Sequence, residues 1–142
     1  MNRKKVRSYN YMMSEINSIY HDIAVRMGIS DSVQSVLYAI CENGDRCLQS
    51  DICKQTGISR QTINTAIRKL EKDGIVHLKQ GRGRNTIVCL TESGKAFANE
   101  KSRPLLEIED AIFSSWTEGE LSLYLELTER YRDALKAKVE EL

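Results

Sequence analysis

The stretch Ser59-Arg60-Gln61-Thr62-Ile63-Asn64-Thr65-Ala66-Ile67-Arg68-Lys69-Leu70-Glu71-Lys72-Asp73-Gly74 decides the fold. At 3.6 residues per turn, Ile63, Ala66, Ile67 and Leu70 fall on one side of a helix; Ser59 offers a capping oxygen at its start and Gly74 ends it. Just upstream, residues 48–56 predict a short helix with Leu48, Ile52 and Cys53 inward, followed by a tight turn at Gly57-Ile58. Two short helices joined by a glycine-containing turn form a helix-turn-helix pattern.

Downstream the period changes from helical to alternating. The runs Ile75-Val76-His77-Leu78 and Thr86-Ile87-Val88-Cys89-Leu90 are rich in β-branched residues, and Gly81-Arg82-Gly83-Arg84-Asn85 separates them. This predicts a hairpin whose loop carries arginine. Thr91 caps a further helix with Phe97, Leu105, Ile108 and Ile112 on its apolar stripe and a break near Pro104, which lacks the N–H that a helix interior requires. Thr117-Glu118-Gly119-Glu120 reads as a capping box, with Trp116 before it placed to staple against Leu121.

Towards the N-terminus, Val6, Tyr9, Met13, Ile16, Tyr20, Ile23 and Met27 alternate in steps of three and four, a heptad seam that Gly28 closes. A second helix follows, capped by Asp31 or Ser32, with Val33, Val36, Leu37, Ile40 and Cys41 on one face and Gly44 after it. The seam and the two-sided apolar surface of the last helix exceed what one core of 142 residues can cover, so a homodimer built from the chain's ends is expected. The chain thus reads as mainly α with a small β-hairpin wing (α+β). Residues 1–30 would form an N-terminal dimerisation helix, 31–95 the winged helix-turn-helix and 96–142 the C-terminal dimerisation helices, in one compact domain overall.

Charge separates the functional classes. The net charge of +1 hides an uneven division: residues 1–45 sum to zero, 46–84 to +6 and 85–142 to −5. A basic middle within a neutral and acidic scaffold is the electrostatic footprint of nucleic-acid binding. Opposite the buried stripe of residues 59–70 lie Arg60, Gln61, Asn64, Thr65 and Arg68, a face read as free of acidic residues. Arginine pairs with guanine, asparagine and glutamine with adenine, and the threonine methyl meets that of thymine. In the hairpin loop, glycines beside Arg82 and Arg84 allow close approach to phosphates or a narrow groove.

Other chemistries find little support. The longest apolar run, Val36–Cys41, is far too short for a membrane span, and no secretion signal is present, so a cytoplasmic protein is expected. His21 and His77 lack ligand-spaced partners for a metal. No phosphate-loop or GxSxG pattern occurs, so no cofactor and no catalysis are expected. Of four cysteines, Cys41, Cys53 and Cys89 occupy apolar positions, which leaves Cys47, in an expected loop, as the one thiol exposed enough to react.

Leu70-Glu71-Lys72-Asp73-Gly74-Ile75-Val76, the arginine-bearing loop and Leu90-Thr91-Glu92-Ser93-Gly94-Lys95 together resemble the winged helix-turn-helix of the multiple-antibiotic-resistance regulator (MarR) family. The resemblance implies a homodimer with interlocked terminal helices, two lobes that read double-stranded DNA at a palindromic operator, and a cleft for a small-molecule effector. It makes Ser59–Leu70 the recognition helix and Arg82–Asn85 the wing tip, so that Ser59, Arg60, Gln61, Asn64, Thr65, Arg68, Arg82, Arg84 and Asn85 would contact DNA. Where the family has Asp-x-Arg in the wing, this chain has Arg82-Gly83-Arg84, and Leu48 stands where many members begin the third helix with threonine. The expected function is sequence-specific transcription regulation, as a repressor relieved by a small ligand. The alternatives are a thiol-based redox-responsive regulator of the same fold, or a winged-helix module for protein or RNA.

Overall fold

A computed structural model describes residues 2–83 and 85–142. The described residues form two compact units, the first running to Leu105 and the second from Leu106 to Leu142.

In the first unit, helix α1 (Arg3–Met27) ends at Gly28, which takes the left-handed conformation (φ 71°) expected of a helix terminator. Its apolar seam stays largely on the surface: Val6, Tyr9, Met13, Ile16 and Tyr20 are exposed, and Ala24 is the buried residue. Helix α2 (Asp31–Glu42) is capped by Ser30, whose Oγ accepts from the Val33 N–H at 3.2 Å, rather than by Asp31 or Ser32. Three consecutive residues carry capping oxygens, and the one in extended conformation just before the first turn takes the role. Helix α2 is the hub: it packs against α3 (Gln49–Thr56) and α4 (Arg60–Lys72), and its Val33, Val36, Leu37, Ala39 and Ile40 are buried.

The start of the expected third helix proves to be a strand. Arg46–Leu48 forms β1, and with β2 (Val76–Gln80) and β3 (Thr86–Leu90) it makes an antiparallel sheet in the order β1-β3-β2. Cys47 lies opposite Val88, and Leu78 faces Val88 from the other side. The wing is therefore three-stranded, a hairpin with a short edge strand from before the helix-turn-helix.

The motif around residues 70–94 has a structural cause. The Ile75 carbonyl accepts from the Thr91 N–H at 3.0 Å, while the Gly74 carbonyl accepts from the Thr91 hydroxyl at 2.6 Å and the Ser93 hydroxyl at 3.0 Å. Thr91 also caps α5 (Glu92–Lys101) by accepting from the Gly94 N–H at 2.9 Å. These bonds fasten the turn after α4 to the start of α5. A side chain at position 94 would collide with this turn, since a Cβ there falls 1.8 Å from the Ile75 oxygen. The expected break comes at Ser102, which ends α5; Pro104 sits in the first turn of α6 (Arg103–Ser114), where its missing N–H leaves no bond unmade. Asp45, with its backbone in the left-handed region (φ 73°), receives an ion pair from Arg103 at 2.5 Å.

In the second unit, α7 (Glu118–Glu140) opens with the expected capping box: Thr117 Oγ1 accepts from the Glu120 N–H at 3.1 Å and a Glu120 carboxylate oxygen from the Thr117 N–H at 2.8 Å. The bond from the Thr117 N–H to its carboxylate holds Glu120 below the usual pKa. Trp116 stacks edge-on with Phe113 and Tyr124, at ring-centroid distances of 5.1 and 5.4 Å. Leu123, Leu125, Leu127, Leu135 and Val139 are exposed along α7. Among the described residues no helix is long and apolar enough to cross a membrane.

Candidate nucleic-acid interface

Helix α4 builds the surface. Its buried residues, Ile63, Ala66, Ile67 and Leu70, fix its rotation against the core. Arg60, Gln61, Asn64, Thr65 and Arg68 then span about 140° of arc on the opposite side. Ser59 is the N-cap: its Oγ accepts from the Thr62 N–H at 3.2 Å and donates to Thr62 Oγ1 at 2.9 Å. The first turn of α4 holds no acidic residue, so the partial positive charge of its N-terminus adds to Arg60. Arg60, Gln61, Thr65 and Arg68 are exposed, and no salt bridge among the described residues engages Arg60, Arg68 or Arg82. Thr65 donates its hydroxyl to the Gln61 carbonyl at 3.0 Å, which leaves its methyl as the group to present outward.

Two features correct the sequence reading of this face. Glu71 falls on the same side one turn beyond Arg68, so the carboxylate-free stripe ends at Arg68 and not at the end of the helix. Asn64 is half-buried rather than projecting freely, and its Oδ1 accepts a hydrogen bond from Gln49 Nε2 at the start of α3. Gln49, one turn before the buried Ile52 on α3, carries no periodic signal in the sequence.

The wing lies close to this surface. Gln49, Ser50, Arg60, Asn85 and Thr86 line one cavity where α3, the start of α4 and β3 meet. The loop is closed by the Gly81 N–H donating to the Asn85 carbonyl at 2.8 Å and by Gln80 Nε2 donating to the Gly83 carbonyl at 2.6 Å. Gly83 needs its glycine freedom, with φ at 65°. Arg82 and Asn85 are exposed at the tip, and Arg84 lies outside the described residues.

The thiol singled out in the sequence is not exposed. Cys47 is 5% exposed, on β1 and not in a loop. Burial pushes its thiol above the ordinary pKa, and the Asp51 carboxylate adds to the shift. Burial likewise raises Cys41, against the opposing pull of the Arg103 guanidinium. A thiol that resists ionisation is a poor nucleophile, so Cys47 loses the basis on which it was proposed to react. His21 has a carboxylate neighbour that its spacing did not reveal: Nδ1 lies 2.9 Å from Asp31, joining α1 to the start of α2. Among the described residues, no three His, Cys, Asp or Glu side chains gather as a metal site requires.

Residues 27–84, the end of α1 through most of the wing, match the MarR family profile. The match covers the helix-turn-helix and the first part of the hairpin that follows it. The MarR fold extends over nearly the whole chain. It is similar to NMB1585, a MarR family regulator from Neisseria meningitidis, at 17% identity with 96% of this chain and 97% of the other covered and a TM-score of 0.84. It is also similar to Sco3205, a MarR family transcriptional regulator from Streptomyces coelicolor solved in complex with DNA, at 18% identity, 95% and 89% coverage and a TM-score of 0.67. A third similar structure is BpsR from Bordetella bronchiseptica, whose DNA binding is regulated by 6-hydroxynicotinic acid, at 20% identity, 87% and 93% coverage and a TM-score of 0.59. Among curated proteins none matches the chain.

Proposed function

We propose that this chain is a member of the MarR family, a sequence-specific regulator of transcription that binds duplex DNA as a homodimer and acts as a repressor relieved by a small ligand. The observation that carries the reading is the exposed, carboxylate-free stripe Arg60–Arg68, held outward by the buried stripe behind it. Arg60, Gln61, Thr65 and Arg68 read base edges in the major groove, with Ser59 at the helix start beside a phosphate. Arg82, Arg84 and Asn85 grip the adjacent backbone or minor groove, without much sequence information. The exposed apolar side chains along α1 and along α7 support the homodimer, and the DNA-bound and ligand-regulated relatives support the operator and effector.

The test is selection of bound fragments from random duplex DNA, followed by titration of the selected site. An inverted repeat with half-sites about one helical turn apart, roughly 34–36 Å, is expected. Arg68→Ala should relax preference at particular base pairs, each contact being worth about 1–3 kcal/mol. Arg82→Ala should weaken all sequences alike and lower the salt slope by about one unit. No enrichment of duplex DNA, or enrichment of RNA in its place, refutes the reading.

A further inference from the structure

The helix α4 surface contains one polar group whose orientation is set from outside the helix. Asn64 sits between Arg60 and Arg68 on the outward stripe, yet its carboxamide oxygen is turned to α3, where Gln49 Nε2 donates to it. Both residues are half-buried, so the bond forms where water competes weakly and holds a defined rotamer. Gln49 also lines the cavity shared with Arg60 and Asn85, which places it at the junction of α4 and the wing.

The two ends of a carboxamide are chemically opposite: the oxygen only accepts and the nitrogen only donates. Bidentate pairing with adenine uses both ends at once. With Oδ1 turned towards Gln49, the Nδ2 protons are what Asn64 offers to DNA, and these suit acceptors on the major-groove edge. Guanine presents two such acceptors, N7 and O6; adenine presents N7 and thymine O4, whereas the distinctive group of cytosine is its N4 donor.

We propose that Gln49 is a positioning residue for base reading: by holding the Asn64 oxygen it commits Asn64 to act as a donor and biases the half-site against cytosine at the base Asn64 meets. This rests on the reading of α4 as the base-reading helix. It differs from a purely structural role because it sets the identity of the preferred base as well as the strength of binding.

The experiment uses the full chain and the selected operator with all four base pairs tested in turn at each half-site position. Five proteins are compared: wild type, Asn64→Ala, Gln49→Ala, Gln49→Glu and the double variant Gln49→Ala/Asn64→Ala. Wild type should discriminate at the Asn64 position by roughly 5- to 150-fold, and Asn64→Ala should abolish this. Gln49→Ala should remove about threefold or more of the same discrimination, leave other positions unchanged, and have no further effect when Asn64 is already alanine. Gln49→Glu supplies an acceptor in place of a donor, so the Asn64 amide turns over, Oδ1 faces the groove, and preference shifts to the donor-bearing bases cytosine and adenine. The added negative charge lowers affinity for every sequence, which is why base preference is the readout. Discrimination lost in Asn64→Ala but intact in both Gln49 variants overturns this inference alone. A Gln49→Ala effect that persists in the Asn64→Ala background also overturns it. If Asn64→Ala changes no position while Arg68→Ala does, this inference falls and the reading of α4 stands; if neither changes any position, the reading of α4 falls with it.

Discussion

Replacing Gly94 with alanine tests the fastening between α4 and α5 directly. The new Cβ would lie 1.8 Å from the Ile75 carbonyl oxygen and 3.1 Å from Thr91 Oγ1, and contacts below 3.0 Å are essentially unknown for real Cβ atoms. The turn must retreat by about 1.2 Å to admit it. The same oxygen accepts from the Thr91 N–H at 3.0 Å, so a retreat of that size lengthens this bond past any useful distance. One lost hydrogen bond costs about 0.5–1.5 kcal/mol and forced overpacking about 1–3 kcal/mol, so a loss of roughly 2–4 kcal/mol is expected. For a chain of this size that lowers the melting temperature by roughly 5–15 °C, measured by circular dichroism at constant protein concentration. Gly119→Ala is the control: nothing lies within 4 Å of its added Cβ, and an alanine in the first turn of α7 should leave stability unchanged or raise it by up to about 1 kcal/mol. Equal melting temperatures for Gly94→Ala and wild type would refute the argument, because they would mean the turn accommodates the Cβ without losing its bonds.

Alkylation of the native protein, followed by mass spectrometry, should label half-exposed Cys53 and Cys89 well before buried Cys41 and Cys47, and labelling of Cys47 first would contradict its burial. Because burial raises the pKa of both Cys41 and Cys47, their contribution to stability is fully present below the ordinary thiol value of 9.0 and is lost as pH rises beyond it; urea midpoints that stay level from pH 8 to 10 would count against this. Glu120 has the opposite sign. Its lowered pKa means that the capping box holds above the ordinary carboxylate range and opens as pH falls through the folded value, which amide exchange at Thr117 reports. Sedimentation should find a dimer at micromolar concentration, and a folded monomer there would sink the homodimer.

Elements that announce themselves locally were legible in the sequence. Ser59, Thr117-Glu120 and Gly28 each act within a few residues of where they stand, and the structure uses them as read. What depends on distant partners was not. Strand β1 is three residues long, too short to show alternation, and becomes a strand only because Ile87–Cys89 lies alongside it about 40 residues later. The misjudged exposure of Cys47 follows from the same omission, since its inward direction is set by that pairing. The Thr91-Glu92-Ser93-Gly94 motif was visible through family resemblance, but its purpose was not, because the Gly74 and Ile75 carbonyls it serves lie in another element. The polar face proposed to read bases was visible as a pattern of residue types on one side of α4; the orientation of Asn64 was not, because a side chain from α3 bonds to it.

The bonds from Thr91 and Ser93 to the turn at Gly74-Ile75 also bear on how motion passes from α5 to α4. These bonds tie the C-terminal end of α4 to the first turn of α5, so a tilt of α4 independent of α5 would have to break them. In the proposed homodimer, a small change in that tilt would become a mismatch of spacing between the two α4 helices. On that proposal, an effector would need neither to touch α4 nor to unfold anything in order to weaken binding.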